Sequence, residues 1–181
     1  MRSVSTLAVL IAAVFARPAI GQETTRQDFK KWCSHVEGRW IGDVTSVTDW
    51  PGGNKKGDKI TAYWQGRVSE DGNVMVTKFL GGPASSTGMV YYDAAAKRIH
   101  HTWVDAGGVV FHNTLWPDGD KWIETVSVML PDGTKGRMNN VFIFTDGGKQ
   151  LTIHINGKIG DDVIKDQKNV WRRVSKSKTT E

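Results

Sequence analysis

From Arg39 onward, apolar and polar residues alternate with a period of two, the pattern of strands that bury one face. The first such run lies in Val36 to Trp50, reading V-E-G-R-W-I-G-D-V-T-S-V-T-D-W. About ten strand-like runs follow from this pattern. They are Arg39–Thr48, Lys59–Val68, Val74–Leu80, Thr87–Tyr92, Arg98–Val104, Val109–Trp116, Lys121–Met129, Arg137–Phe144, Leu151–Asn156 and Ile164–Arg173. Hairpin chemistry separates several of them, at Asp105-Ala106-Gly107-Gly108, Pro117-Asp118-Gly119-Asp120, Pro131-Asp132-Gly133-Thr134 and Asp146-Gly147-Gly148-Lys149. Connections this short make consecutive strands antiparallel neighbours, and no helical crossover is present to build a parallel sheet. An open meander of this length would leave two long edges, which full closure removes. The predicted fold is all-β, a single up-and-down antiparallel barrel of about eight to ten strands.

Ahead of the strands the period changes. Phe29, Trp32, Cys33 and Val36 recur at helical spacing, while Gln27, Lys30 and Lys31 face away. One short helix is predicted over Thr24 to His35, with Thr25 and Asp28 as a capping signal and Gly38 at its exit. A single apolar stripe needs a surface, and the end of the barrel supplies one.

The extreme N-terminus reads as a targeting segment. Arg2 precedes a continuous apolar run from Leu7 to Phe15, and Ala19-Ile20-Gly21 offers small residues for cleavage before Gln22. That run is too short for a transmembrane helix, and no later segment qualifies, so no stable membrane insertion is expected. The expected organisation is a signal peptide at 1–21, a helical segment at 22–37, the barrel at 38–174 and a flexible basic tail at 175–181. Export to the periplasm or the cell exterior follows. The 181 residues, with 20 Gly and 8 Trp, suit one turn-rich domain with an aromatic interior. Cys33 is the one cysteine, so no internal disulfide forms, and the thiol reads as a small buried apolar group. The formal charge of +5 falls by two if Arg2 and Arg17 leave with the signal. Several remaining cations sit in the tail, and no basic stripe with interleaved aromatics suggests nucleic acid. Oligomeric state is not readable.

Turn lengths propose registers. Pairing Asp105 with Val109 sets Trp103 against Phe111 and His101 against Asn113. A four-residue turn at Pro117 sets Asn113 against Glu124 and Phe111 against Val126. A three-residue turn at Pro131 sets Glu124 against Asn140 and Trp122 against Phe142. One row then crosses four strands: His101, Asn113, Glu124, Asn140. Apolar residues flank each member two positions away, which places the row inside the barrel. Its polar groups would have to be satisfied by each other, by water or by a ligand. Burial would raise the Glu124 pKa, and a cationic His101 would lower it. The candidate ligand-binding residues are therefore His101, Asn113, Glu124 and Asn140 with Trp103, Phe111 and Trp122. A one-residue slip would instead turn the row outward. His154 has two readings: opposite Asn140 after a three-residue turn at Asp146, or outward after a four-residue turn pairing Phe144 with Leu151. Apolar matching favours the second. His154 is the runner-up metal or haem ligand, but no metal motif is present and no cofactor is expected.

Gly38-Arg39-Trp40 resembles the Gly-x-Trp signature of the lipocalin–calycin group. Trp171-Arg172-Arg173 is similar to the last strand of that group, where a basic residue lies across the tryptophan. The resemblance implies an up-and-down barrel with a ligand cavity, closed at one end by Arg172 or Arg173 over Trp40. Those three residues would be structural, not catalytic. The implied role is a secreted or periplasmic lipocalin-like barrel that binds a small hydrophobic molecule; binding is favoured over catalysis, and enzymatic activity stays open. The alternatives are an enzyme using Glu124 and His101 as an acid–base pair, a haem-binding barrel, or a core that Trp64, Trp103, Phe111, Trp122 and Phe142 fill completely.

Overall fold

The structure, a computed structural model, describes residues 22–175; the expected signal peptide and the tail beyond Ser175 lie outside them. Helix α1 spans Arg26–Val36. Ten strands follow: β1 (Gly38–Thr45), β2 (Lys59–Val68), β3 (Val74–Gly81), β4 (Ala84–Asp93), β5 (Arg98–Asp105), β6 (Val110–Asp118), β7 (Lys121–Met129), β8 (Lys135–Thr145), β9 (Gln150–Ile159) and β10 (Asp162–Ser175). Each pairs antiparallel with its neighbours in sequence, and β1 pairs with β10, so the barrel is closed. The predicted meander and its single helix are what the chain forms.

Alternation sets the interior. Along β7, Trp122, Glu124, Val126 and Val128 are buried, and the residues between them are more open. The β1–β10 seam depends on Gly42, which pairs with Trp171. A Cβ at that position would collide with the indole, so a side chain is excluded where the ring crosses the strand.

Helix α1 stops one end of the barrel. Thr25 and Asp28 form a reciprocal capping box at its start. Phe29, Trp32, Cys33 and Val36 are buried, and Trp32 packs on Trp122 and Phe142 at ring separations of 5.2 and 5.1 Å. Gly38, at φ 115°, allows the sharp change of direction from helix into β1. Trp40 is 1% exposed and donates its indole N–H to the Val36 carbonyl at 2.9 Å. Arg173 faces Trp40 across the seam, its guanidinium carbon 4.2 Å from the ring centroid. The same guanidinium donates to the carbonyls of His35, Glu37 and Gly148, tying helix, seam and the β8–β9 turn together. Of the two arginines expected at this position, Arg173 does the closing. Arg172 pairs with Ile41 and lies exposed, because its parity turns it to the outer face.

The other end is covered by a loop, not a helix. The β1–β2 connection, 46–58, folds across the mouth. Asn54 donates to the Gly81 carbonyl at 2.9 Å, and Gly107 approaches Pro51 too closely to tolerate a Cβ. Asp162, in the β9–β10 hairpin, accepts from Thr48 at 2.8 Å and pairs with Lys56 at 2.6 Å. No helix among the described residues is long and apolar enough to cross a membrane.

Candidate functional site

The four polar residues predicted from turn lengths meet inside the barrel. Glu124 on β7 is their centre, 3% exposed. His101 on β5 donates from Nδ1 to Glu124 Oε1 at 2.8 Å. Asn113 on β6 donates from Nδ2 to the same oxygen at 2.9 Å, and Asn140 on β8 donates to Oε2 at 2.8 Å. Four adjacent strands thus converge on one carboxylate.

The register carries one correction. Asp118 pairs with Lys121, so the β6–β7 turn contains two residues, Gly119 and Asp120, and not four. Gly119 has φ 63°, the left-handed conformation that so tight a turn requires. Asn113 therefore lies opposite Val126, and Leu115 opposite Glu124. A slip of two residues preserves the inward face, and Asn113 reaches Glu124 along the diagonal. The other registers hold: Trp103 pairs with Phe111, His101 with Asn113, Glu124 with Asn140 and Trp122 with Phe142.

Burial pushes the Glu124 carboxyl up and is the largest single influence on it. The His101 hydrogen bond and charge, with the two amides, together outweigh burial and hold the carboxyl below the ordinary glutamate range. The cluster is a carboxylate with three donors. The amide oxygens of Asn113 and Asn140 are buried and have no partner among the described residues.

Above the cluster lies a cavity of about 270 Å³ between the carboxylate and the 46–58 loop. Its wall is largely apolar and includes several aromatic side chains. Trp103 stacks on Phe111 at 3.4 Å, and Trp50 of the loop lies 5.5 Å from Phe111. Trp64, Phe79 and Trp171 form the opposite side. His101, Glu124, Asn140, Trp103 and Phe111 face this space. Asn113 lies behind the carboxylate and holds it. Trp122 lies away from the cavity at the helix-covered end, against Trp32. The large interior side chains do not fill the barrel completely.

Lining residues outside the expected set include Phe79, Trp171, Trp50 and Asn54. Phe79 and Trp171 follow the inward alternation of β3 and β10 and were legible in that pattern. Trp50 and Asn54 belong to the loop, which has no periodicity to read.

His154 pairs with Val141, and Phe144 with Leu151, which is the outward reading. It contacts Asp166 at 3.0 Å on the outer face, so it cannot ligate a group inside the barrel. Among the described residues no group of three or more His, Cys, Asp or Glu side chains is arranged to hold a metal ion. Cys33 lies on the buried face of α1, and its thiol is pushed up to about 12 by burial and by the Glu37 charge. No family model matches the chain, and no curated protein is significantly similar to it.

Proposed function

We propose that the barrel binds a small hydrophobic molecule in its interior cavity, as an exported lipocalin-like carrier or scavenger. One observation carries this reading: an apolar, aromatic cavity contains a single convergent set of polar groups, the combination that orients a small ligand. The apolar run Leu7–Phe15 and the small residues before Gln22 support export. The Gly38-x-Trp40 motif, capped by Arg173, supports the lipocalin-like comparison.

The volume sits just below the roughly 300–1,000 Å³ typical of drug-sized ligands, so a compact molecule fits better than a long acyl chain. Native mass spectrometry of protein purified without denaturation tests the proposal, with an absorbance scan beside it. A stoichiometric small-molecule adduct supports the carrier. A Soret band would point to haem instead. No adduct, together with no binding of small aromatic probes, would overturn it.

The contact between His101 and Glu124 supports a second reading. A carboxylate at Nδ1 fixes the imidazole and leaves Nε2 to take a proton from a bound molecule. Turnover of a bound compound that is lost in His101→Gln would establish this role.

A further inference from the structure

The cavity is one-sided in its charge. Its ionisable lining groups are Glu124, Asp105 and His101, and neither lysine nor arginine contributes to the wall. A fatty acid or another anion would find no lysine or arginine to receive it. His101 is the one basic group present, and its Nδ1 is already committed to Glu124.

Among the buried lining groups, two acceptors, on Asn54 and Asn140, and one donor, the Trp171 indole N–H, have no partner. A carboxylate offers about four lone-pair sites, and Glu124 receives three hydrogen bonds, so one site on Oε2 remains. The neighbouring Asn140 lines the cavity with its Oδ1 unpartnered. At the mouth, Asn54 also lines the cavity; it is 3% exposed, its Nδ2 is used on Gly81, and its Oδ1 is unpartnered. Buried acceptors without donors cost about 1–3 kcal/mol each, and a donor-bearing ligand relieves that cost. Between the two ends stand Trp50, Trp64, Phe79, Trp103, Phe111 and Trp171. Aromatic faces attract cations and repel anions through the ring quadrupole, most strongly where water is excluded.

We infer that the ligand is a small organic amine, bound as its ammonium, with a compact apolar or aromatic body. The ammonium meets the open site on Glu124 Oε2 at the floor, beside Asn140, and the body lies among the indoles. This inference rests on the cavity being a binding site and goes further by fixing the sign of the ligand's charge.

The test compares three molecules of similar shape on the folded protein by isothermal titration calorimetry: 2-phenylethylamine, 2-phenylethanol and phenylacetate. The amine is expected to bind at least about tenfold tighter than the alcohol, as a charge-assisted bond to a buried carboxylate should. Phenylacetate should bind weakest. In Glu124→Gln, checked for folding by circular dichroism, amine affinity should fall to that of the alcohol while alcohol affinity stays within about threefold. If the alcohol matches the amine, or phenylacetate binds best, the cavity still takes ligands but the charge assignment is overturned. If none of the three binds, the binding reading itself falls. Should the variant not fold, the order of the three ligands on the unaltered protein still decides.

Discussion

Replacing Glu124 isolates what the buried carboxylate contributes. In Glu124→Gln, Oε1 keeps the bonds from His101 and Asn113, and the new NH₂ faces Asn140. Asn140 has a free Oδ1, so rotating its amide by half a turn restores a bond in the opposite sense. The rotation moves Asn140 Nδ2 to the place where Oδ1 had no partner, so one buried amide donor is left without an acceptor. What is lost is the charge assistance on three hydrogen bonds, roughly 1 kcal/mol each and about 3 kcal/mol in all near neutral pH. Glu124→Leu is harsher, since three buried donors lose their acceptor together, and about 3–5 kcal/mol is expected. The pH dependence separates the two effects. The folded carboxyl titrates below the ordinary value of 4.5. Its stabilisation is therefore fully present above that pH and is lost as pH falls through the folded value. The wild-type advantage over Glu124→Gln should be constant above about pH 5 and shrink steadily toward pH 3. Urea unfolding followed by tryptophan fluorescence at several pH values measures it. A gap that does not change would show that the fold does not favour the ionised carboxyl, and one that grows as pH falls would show a carboxyl held neutral; either would make the donor arrangement derived above wrong.

Four further outcomes follow from other parts of the molecule. Arg173→Met removes the cation over Trp40 and the donor to three carbonyls, and should cost about 2–3 kcal/mol in urea unfolding, whereas Arg172→Ala should stay within about 0.5 kcal/mol. Cys33 should not react with a disulfide reagent at neutral pH until the protein unfolds, because its thiol is buried and titrates at about 12; reaction in the native state would contradict the packing of α1. Gly42→Ala should destabilise by about 1–3 kcal/mol, since its Cβ meets the rigid Trp171 ring, and thermal unfolding reads the change. Asp162→Ala releases both Thr48 and Lys56, so limited proteolysis within 46–58 should accelerate while the unfolding midpoint hardly moves.

Much of this was legible in the chain because β structure has a rigid parity. Every strand showed itself through alternation, and every inward residue of β5 to β8 was assigned the correct face. The error at Pro117 is instructive. Proline there suggests a turn, yet β6 runs on through Asp118 and the chain reverses only at Gly119. The mistake was an even number of residues, so it moved Asn113 along the barrel without turning it outward. The ambiguity at His154 was an odd one. It was decided by the match of Phe144 with Leu151, which buries two apolar groups at the price of none. The loop over the mouth could not be read. Its position depends on Asn54 reaching Gly81 and on Asp162 reaching Thr48, contacts separated by 27 and 114 residues and unmarked by any local pattern.

The two ends of the barrel are built from different forces, and that difference bears on function. The helix end is sealed by Trp32, Trp40, Trp122 and Phe142, all 7% exposed or less, with Arg173 bonded to three carbonyls. Opening it would expose several large aromatic side chains, each worth about 1.5–3 kcal/mol or more of burial. The loop end is fastened in part by the Lys56–Asp162 pair, whose side chains are 56% and 31% exposed, and such pairs contribute about 0–1 kcal/mol. The easier route to the cavity therefore passes through the loop. The polar cluster sits between these ends, where its stability value is doubtful. A buried ionic group is often no better than well-packed apolar residues of the same volume. Four polar side chains around an otherwise apolar space are poorly explained as a device for holding the barrel together. The proposed binding reading accounts for them as the floor of its site, reached by moving a weakly tied loop.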